Sequence, residues 1–148
     1  MADITYTITG DPRTKKNSPQ ILYKGERCPA CKKGKIPFVM PSVAFKKYEA
    51  SALTELQPIP KRPIECPVNV KCMYYMKTMR DVDLGNLLAA PCDILVDAKI
   101  LKDDKSKIVV SHDGSRVLYA PNNPRCEITI TRVQVDEQLS VFGGACGQ

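Results

Sequence analysis

The spacing of apolar and polar positions changes period several times along this chain, and each change marks an element. Ile4, Tyr6 and Ile8 alternate with Thr5 and Thr7, which is the period of a half-buried strand. Gly10-Asp11-Pro12 ends it, since proline lacks a donor and glycine favours a turn. Beyond a polar stretch, the short apolar runs Gln20 to Tyr23 and Phe38 to Met40 predict two strands of a hairpin. The period then lengthens. Phe45, Tyr48, Ala52, Leu53 and Leu56 share one face of a helix that Ser42 caps and that runs to about Gln57, before Pro58, Pro60 and Pro63.

From Glu65 to Met79 the alternation returns. Cys66, Val68, Val70, Cys72 and Tyr74 occupy one parity, and Asn69, Lys71, Tyr75 and Lys77 the other. The pattern predicts a strand with one buried face, on which Cys66 and Cys72 act as small core hydrophobes. Leu84, Leu87, Leu88, Ile94 and Leu95 predict a second helix reaching about Asp97. Pro91 predicts a kink or a fresh start within it, because an interior proline costs roughly 3 kcal/mol. Three short strands follow over 107–111, 116–120 and 127–133, separated by His112-Asp113-Gly114-Ser115 and Pro121-Asn122-Asn123-Pro124. The lone His112 reads as a solvated turn residue. The fold expected is α+β: a single domain over 1–135 with a mixed β-sheet and two main helices, a hairpin insertion at about 20–40, and a flexible tail over 136–148.

Composition narrows the class. A chain of 148 residues with 43% hydrophobic content suits one domain with a core of its own. It holds no apolar run of membrane-spanning length, and its N-terminus enters a strand directly, so a cytoplasmic protein with no membrane partner is expected. Seven cysteines, an odd number, predict reduced thiols or metal ligands instead of a disulfide framework.

Charge is unevenly placed. The net charge is +6, yet residues 13–35 carry Arg13, Lys15, Lys16, Lys24, Arg27, Lys32, Lys33 and Lys35 against the single acid Glu26, net +7. The remainder is close to neutral. A basic arm on a neutral body suits a polyanionic partner such as a nucleic-acid backbone, although a solvated loop has the same composition. The acids also cluster. Asp81 and Asp83 stand two apart after the alternating segment, which predicts a shared side at a strand end, and Asp103-Asp104 follows about twenty residues on. Two carboxylates with a third from a distant segment are the oxygen donors a hard cation such as Mg²⁺ takes. Ordinary surface and turn acids are the alternative.

Cys28-Pro29-Ala30-Cys31-Lys32-Lys33-Gly34-Lys35 resembles a zinc knuckle. Structural zinc takes four ligands, so Cys28 and Cys31 would need Cys126, Cys146 or the same pair from a second subunit. A plain reduced pair and a redox pair are the other readings.

In order along the chain, Gly10-Asp11-Pro12-Arg13-Thr14-Lys15-Lys16-Asn17-Ser18, Pro41-Ser42 with Tyr48, Arg80-Asp81-Val82-Asp83, Asn86, Asp93 and Asp103-Asp104 resemble the RusA family of Holliday junction resolvases. That family has an Arg-Asp-x-Asp-Asn signature opening a helix, an Asp seven residues after the Asn, and an Asp-Asp pair ten residues beyond. Asn86, Asp93 and Asp103 keep both intervals. The resemblance implies a homodimeric, Mg²⁺-dependent crossover junction endodeoxyribonuclease. Such an enzyme is a hydrolase of recombination and repair that binds four-way DNA junctions and makes paired symmetric nicks. It implies catalytic, metal-binding roles for Asp81, Asp83 and Asp104, with Asp103 a weaker choice, around one or two Mg²⁺ ions. Phosphate contacts would come from Arg13, Lys15, Lys16, Lys32, Lys33 and Arg80, and the compartment would be the cytoplasm of a bacterial or phage-infected cell. Two positions depart from the pattern. Leu84-Gly85 separates Asp83 from Asn86, and Ala89 stands where the best-known members have a lysine. A non-catalytic DNA-binding RusA-like protein, or a nuclease acting on other branched DNA, would accommodate those departures.

Overall fold

The computed structural model describes residues 2–14, 20–25 and 36–134. Its elements are β1 (Ile4–Thr9), β2 (Gln20–Lys24), β3 (Ile36–Met40), α1 (Val43–Glu55), β4 (Val68–Met76), α2 (Leu84–Asp97), β5 (Val109–Ser111), β6 (Arg116–Tyr119) and β7 (Arg125–Arg132). β1, β7, β4 and β5 lie in that order in a mixed sheet, and β6 also pairs with β4. β7 is antiparallel to both β1 and β4, whereas β5 and β6 run parallel to β4. The described residues therefore form one small α+β domain with a mixed sheet and two helices, as the periodicity predicts.

Alternation decides which face of the sheet is covered. Val68, Val70, Cys72, Tyr74 and Met76 point inward from β4, and Cys126, Ile128 and Ile130 of β7 join them, with Val70 opposite Ile130 and Cys72 opposite Ile128. The other parity of β4 stays half-exposed. Its Tyr75 ring lies 3.7 Å beneath the Arg125 guanidinium of β7, a contact that suits the negative face of the ring. Over the apolar face lies α1, where Ser42 Oγ accepts from Phe45 N–H at 3.1 Å and Phe45, Tyr48 and Ala52 face the core. Gly10 closes β1 at φ +99°, a left-handed conformation that glycine adopts without a Cβ penalty.

α2 continues through Pro91 without a fresh start. The proline leaves the carbonyl four residues earlier without its helical donor. That carbonyl belongs to Leu87, and the Tyr74 hydroxyl donates to it at 2.9 Å in a buried position. A side chain of β4 thus replaces the missing backbone donor.

Two further residues have partners that spacing did not suggest. Cys126, a candidate zinc ligand by sequence, is completely buried in the core opposite Tyr74. Its hydrogen bond with Cys72 and then its burial hold that thiol well above its ordinary pKa. His112 is half-buried and engaged instead of solvated, with Nδ1 2.8 Å from the Val70 carbonyl and Nε2 3.9 Å from Cys92 Sγ. β2 and β3 pair in a two-stranded sheet apart from the main one. Among the described residues, no helix is long and apolar enough to cross a membrane.

Candidate functional site

β4 ends at Met76, so Asp81 and Asp83 do not leave a strand end side by side as the alternation predicts. They belong to the irregular segment 77–83, and both are exposed. Asp83 is instead the N-cap of α2: its carboxylate accepts from Gly85 N–H at 2.9 Å and from Asn86 Nδ2 at 3.0 Å. A carboxylate at this position satisfies an orphan helix donor and meets the positive end of the helix dipole. Gly85 fits the arrangement, since a Cβ there would lie 3.2 Å from Asp83 Oδ1. Leu84, its neighbour, packs against the core, so Leu84 and Gly85 open the helix that Asp83 caps.

Asp11, read from sequence only as part of a strand stop, anchors this loop. Its Oδ1 accepts from Lys77 N–H at 2.9 Å, and its Oδ2 lies 3.8 Å from Arg80 Nη2. The start of the basic arm is thereby tied to the segment carrying Asp81 and Asp83, and Arg80 pairs with Asp11 across the two. Arg13, two residues along the arm, is exposed.

The second acid pair is held from the opposite direction. Ile100 and Leu101 are buried, Ile64 bridges to Leu101, and Lys102 N–H donates to the Ile64 carbonyl at 3.1 Å. Asp103 Oδ1 accepts from the Asp104 amide at 2.8 Å, and its Oδ2 lies 3.3 Å from Lys105 Nζ. Desolvation pushes the Asp103 carboxyl up, but the Lys105 ammonium and the Asp104 amide outweigh it and hold the group below the usual carboxylate value. Asp103 is thus engaged in its own turn, while Asp104 is exposed. Lys102, a cation within reach in sequence, pairs with Glu65 at 2.9 Å.

In chain order, one acid pair precedes α2 and the other follows it. The helix runs back along β4: Leu87 meets Tyr74, Cys92 meets the His112 ring that bonds Val70, and the chain beyond the helix meets Ile64. With 14 residues, α2 is about 21 Å long. Asp83 stands at its start, whereas Asp104 follows its end and acts electrostatically on Cys92. Accordingly, among the described residues no three His, Cys, Asp or Glu side chains form a group that could hold a metal ion. Carboxylates suit a hard cation, but one copy of the chain does not gather Asp81, Asp83 and Asp104 around one point.

Cys92 and His112 are a pairing that sequence reading missed, because α2 and the turn after β5 meet only through the fold. Burial first, then the charges of Cys72, Asp104 and Asp93, push the Cys92 thiol up to about 12, so it remains a neutral thiol. Lys15, Lys16, Lys32, Lys33, the Cys28–Cys31 pair, Cys146 and the tail 136–148 lie outside the described residues. No protein-family model matches the chain, and no curated protein matches it in sequence.

Proposed function

We propose that this protein is a Mg²⁺-dependent endonuclease of branched DNA, acting on four-way junctions as a homodimer. The observation that carries this reading is the placement of acids kept in RusA-like register. Asp83 and Asn86 are bonded together at the mouth of α2, with Asp81 and Arg80 just before them, and Asp104 follows the far end of the helix. Asp81, Asp83 and Asp104 would hold the cation, which supplies an acidified water and charge relief at the scissile phosphate. Arg80 and Arg13, at the root of the basic arm, would bind neighbouring phosphates.

Asp81 and Asp83 precede α2, Asp104 follows it, and no metal-holding group forms among the described residues of one copy, which favours a composite site. A second copy related by a two-fold axis would bring its Asp104 to the Asp81 and Asp83 of the first, and the same operation would create a second site for the opposed strand. Incubating a synthetic four-way junction with the protein and Mg²⁺ tests the reading. Symmetric nicks are expected, and Asp83→Asn should slow them by about 100-fold or more while still capping α2, since Asn caps as well as Asp. Junction binding without nicks would remove the enzyme. Mixing Asp83→Asn with Asp104→Asn should restore nicking at about a quarter of the sites if chains exchange freely. No recovery would assign both acids to the same chain's site.

A non-catalytic DNA-binding protein is the second reading. The absence of a gathered metal group among the described residues and the exposed Ala89 in place of a lysine favour it. It predicts junction binding that is indifferent to Mg²⁺ and to Asp83→Asn.

A further inference from the structure

The β2–β3 ribbon keeps its apolar side chains uncovered. Directly opposed residues of an antiparallel pair share a face, so the register Ile21 to Val39 and Tyr23 to Pro37 gathers these four on one side. Ile21 and Tyr23 each expose 62% of their surface and Val39 exposes 70%, and Pro37 is exposed too. None of the four belongs to the buried core. A lone two-stranded ribbon is marginal in water, and a contiguous exposed apolar face marks a binding surface.

Charge selects the occupant. β2 lies within the 13–35 segment of net +7, and β3 directly follows it. A second copy seated on this face would bring two such segments together, and four side chains fall well short of the roughly 800 Å² per partner of a stable interface. A polyanion gains from the same charge. Apolar side chains of this kind enter DNA by parting stacked bases, at a cost of a few kcal/mol per step that is smallest where pairing is already broken. We infer that the Ile21, Tyr23, Pro37 and Val39 face is a wedge that enters the opened base step at a DNA branch point. The inference rests on the branched-DNA reading above.

The test uses the full chain without Mg²⁺ and a four-way junction carrying 2-aminopurine at the branch point, beside a continuous duplex with the same label. The wild type should raise fluorescence severalfold on the junction and leave the duplex unchanged. The double variant Tyr23→Ser/Val39→Ser should lose most of that rise while its junction Kd stays within about threefold, under 1 kcal/mol; Tyr23→Phe should keep the rise. Unchanged thermal unfolding establishes that the variants fold. Saturated binding with no rise, or a rise that survives the double substitution, overturns the wedge. So does a dimer that becomes monomeric on that substitution, which would make the face an interface between copies. Nicks without a rise remove the wedge alone, a rise without nicks supports the wedge and removes the nuclease, and failure to bind branched DNA removes both.

Discussion

Two antiparallel strand pairs in this molecule use the same residue types and meet opposite fates. In β4–β7, Val70 faces Ile130 and Cys72 faces Ile128, all fully buried. In β2–β3, Ile21 faces Val39, and both keep most of their surface in water. Strand propensity and apolar content are alike; among the described residues, only the first pair has a helical layer laid over it. Burial is therefore a property of the layer, and apolar surface without a layer is available for binding.

The largest expected effect divides the two pairs directly. Ile128→Ala should lower unfolding free energy by about 2–5 kcal/mol, and Val39→Ala should change it by no more than about 0.5 kcal/mol. Urea denaturation measures both, and equal losses would erase the distinction between the pairs. Next comes the contact that joins the covered sheet to its layer. Tyr74→Phe should cost about 1–3 kcal/mol by leaving the Leu87 carbonyl unpaired. In a Pro91→Ala background, where residue 91 regains an N–H for that carbonyl, the same change should cost much less. A double-mutant cycle with no coupling would show that Tyr74 does not serve the proline's orphan.

The smallest effect is a pH dependence confined to the layered region. The folded Cys92 thiol titrates near 12, against an ordinary 9.0, so its contribution to stability is complete below pH 9 and is lost as pH rises towards 12. At pH 10 it should amount to a loss of about 1 kcal/mol. Urea midpoints at pH 8 and pH 10 should converge in Cys92→Ala relative to the wild type. An identical drop in both proteins would leave the slope to other groups, Tyr48 and Tyr74 among them, whose burial also raises their pKa values.

Elements with a single period were legible in the chain. β1, the Ser42-capped α1 and the inward parity of β4 follow from side-chain spacing, because one face had to be apolar over the whole element. The acids were legible as a cluster but not as a geometry. Alternation carried past Met76 predicts that Asp81 and Asp83 extend a strand, yet the donors at the start of α2 recruit Asp83 as a cap. His112 looked like a turn residue because its partners, Cys92 and the Val70 carbonyl, are 20 and 42 residues away.

By itself, the amino-acid order determined the element types, the inward faces, the basic arm and the sequential register of the acids, all of which depend on neighbours within a few positions. The tertiary structure decided that α2 passes through Pro91 under a tyrosine from β4, that the ribbon of β2 and β3 stays uncovered, and that Asp83 caps α2 instead of extending β4. Those outcomes depend on how one element returns across another. Local spacing carries no record of that path, because the contacts that set it join residues far apart in the chain.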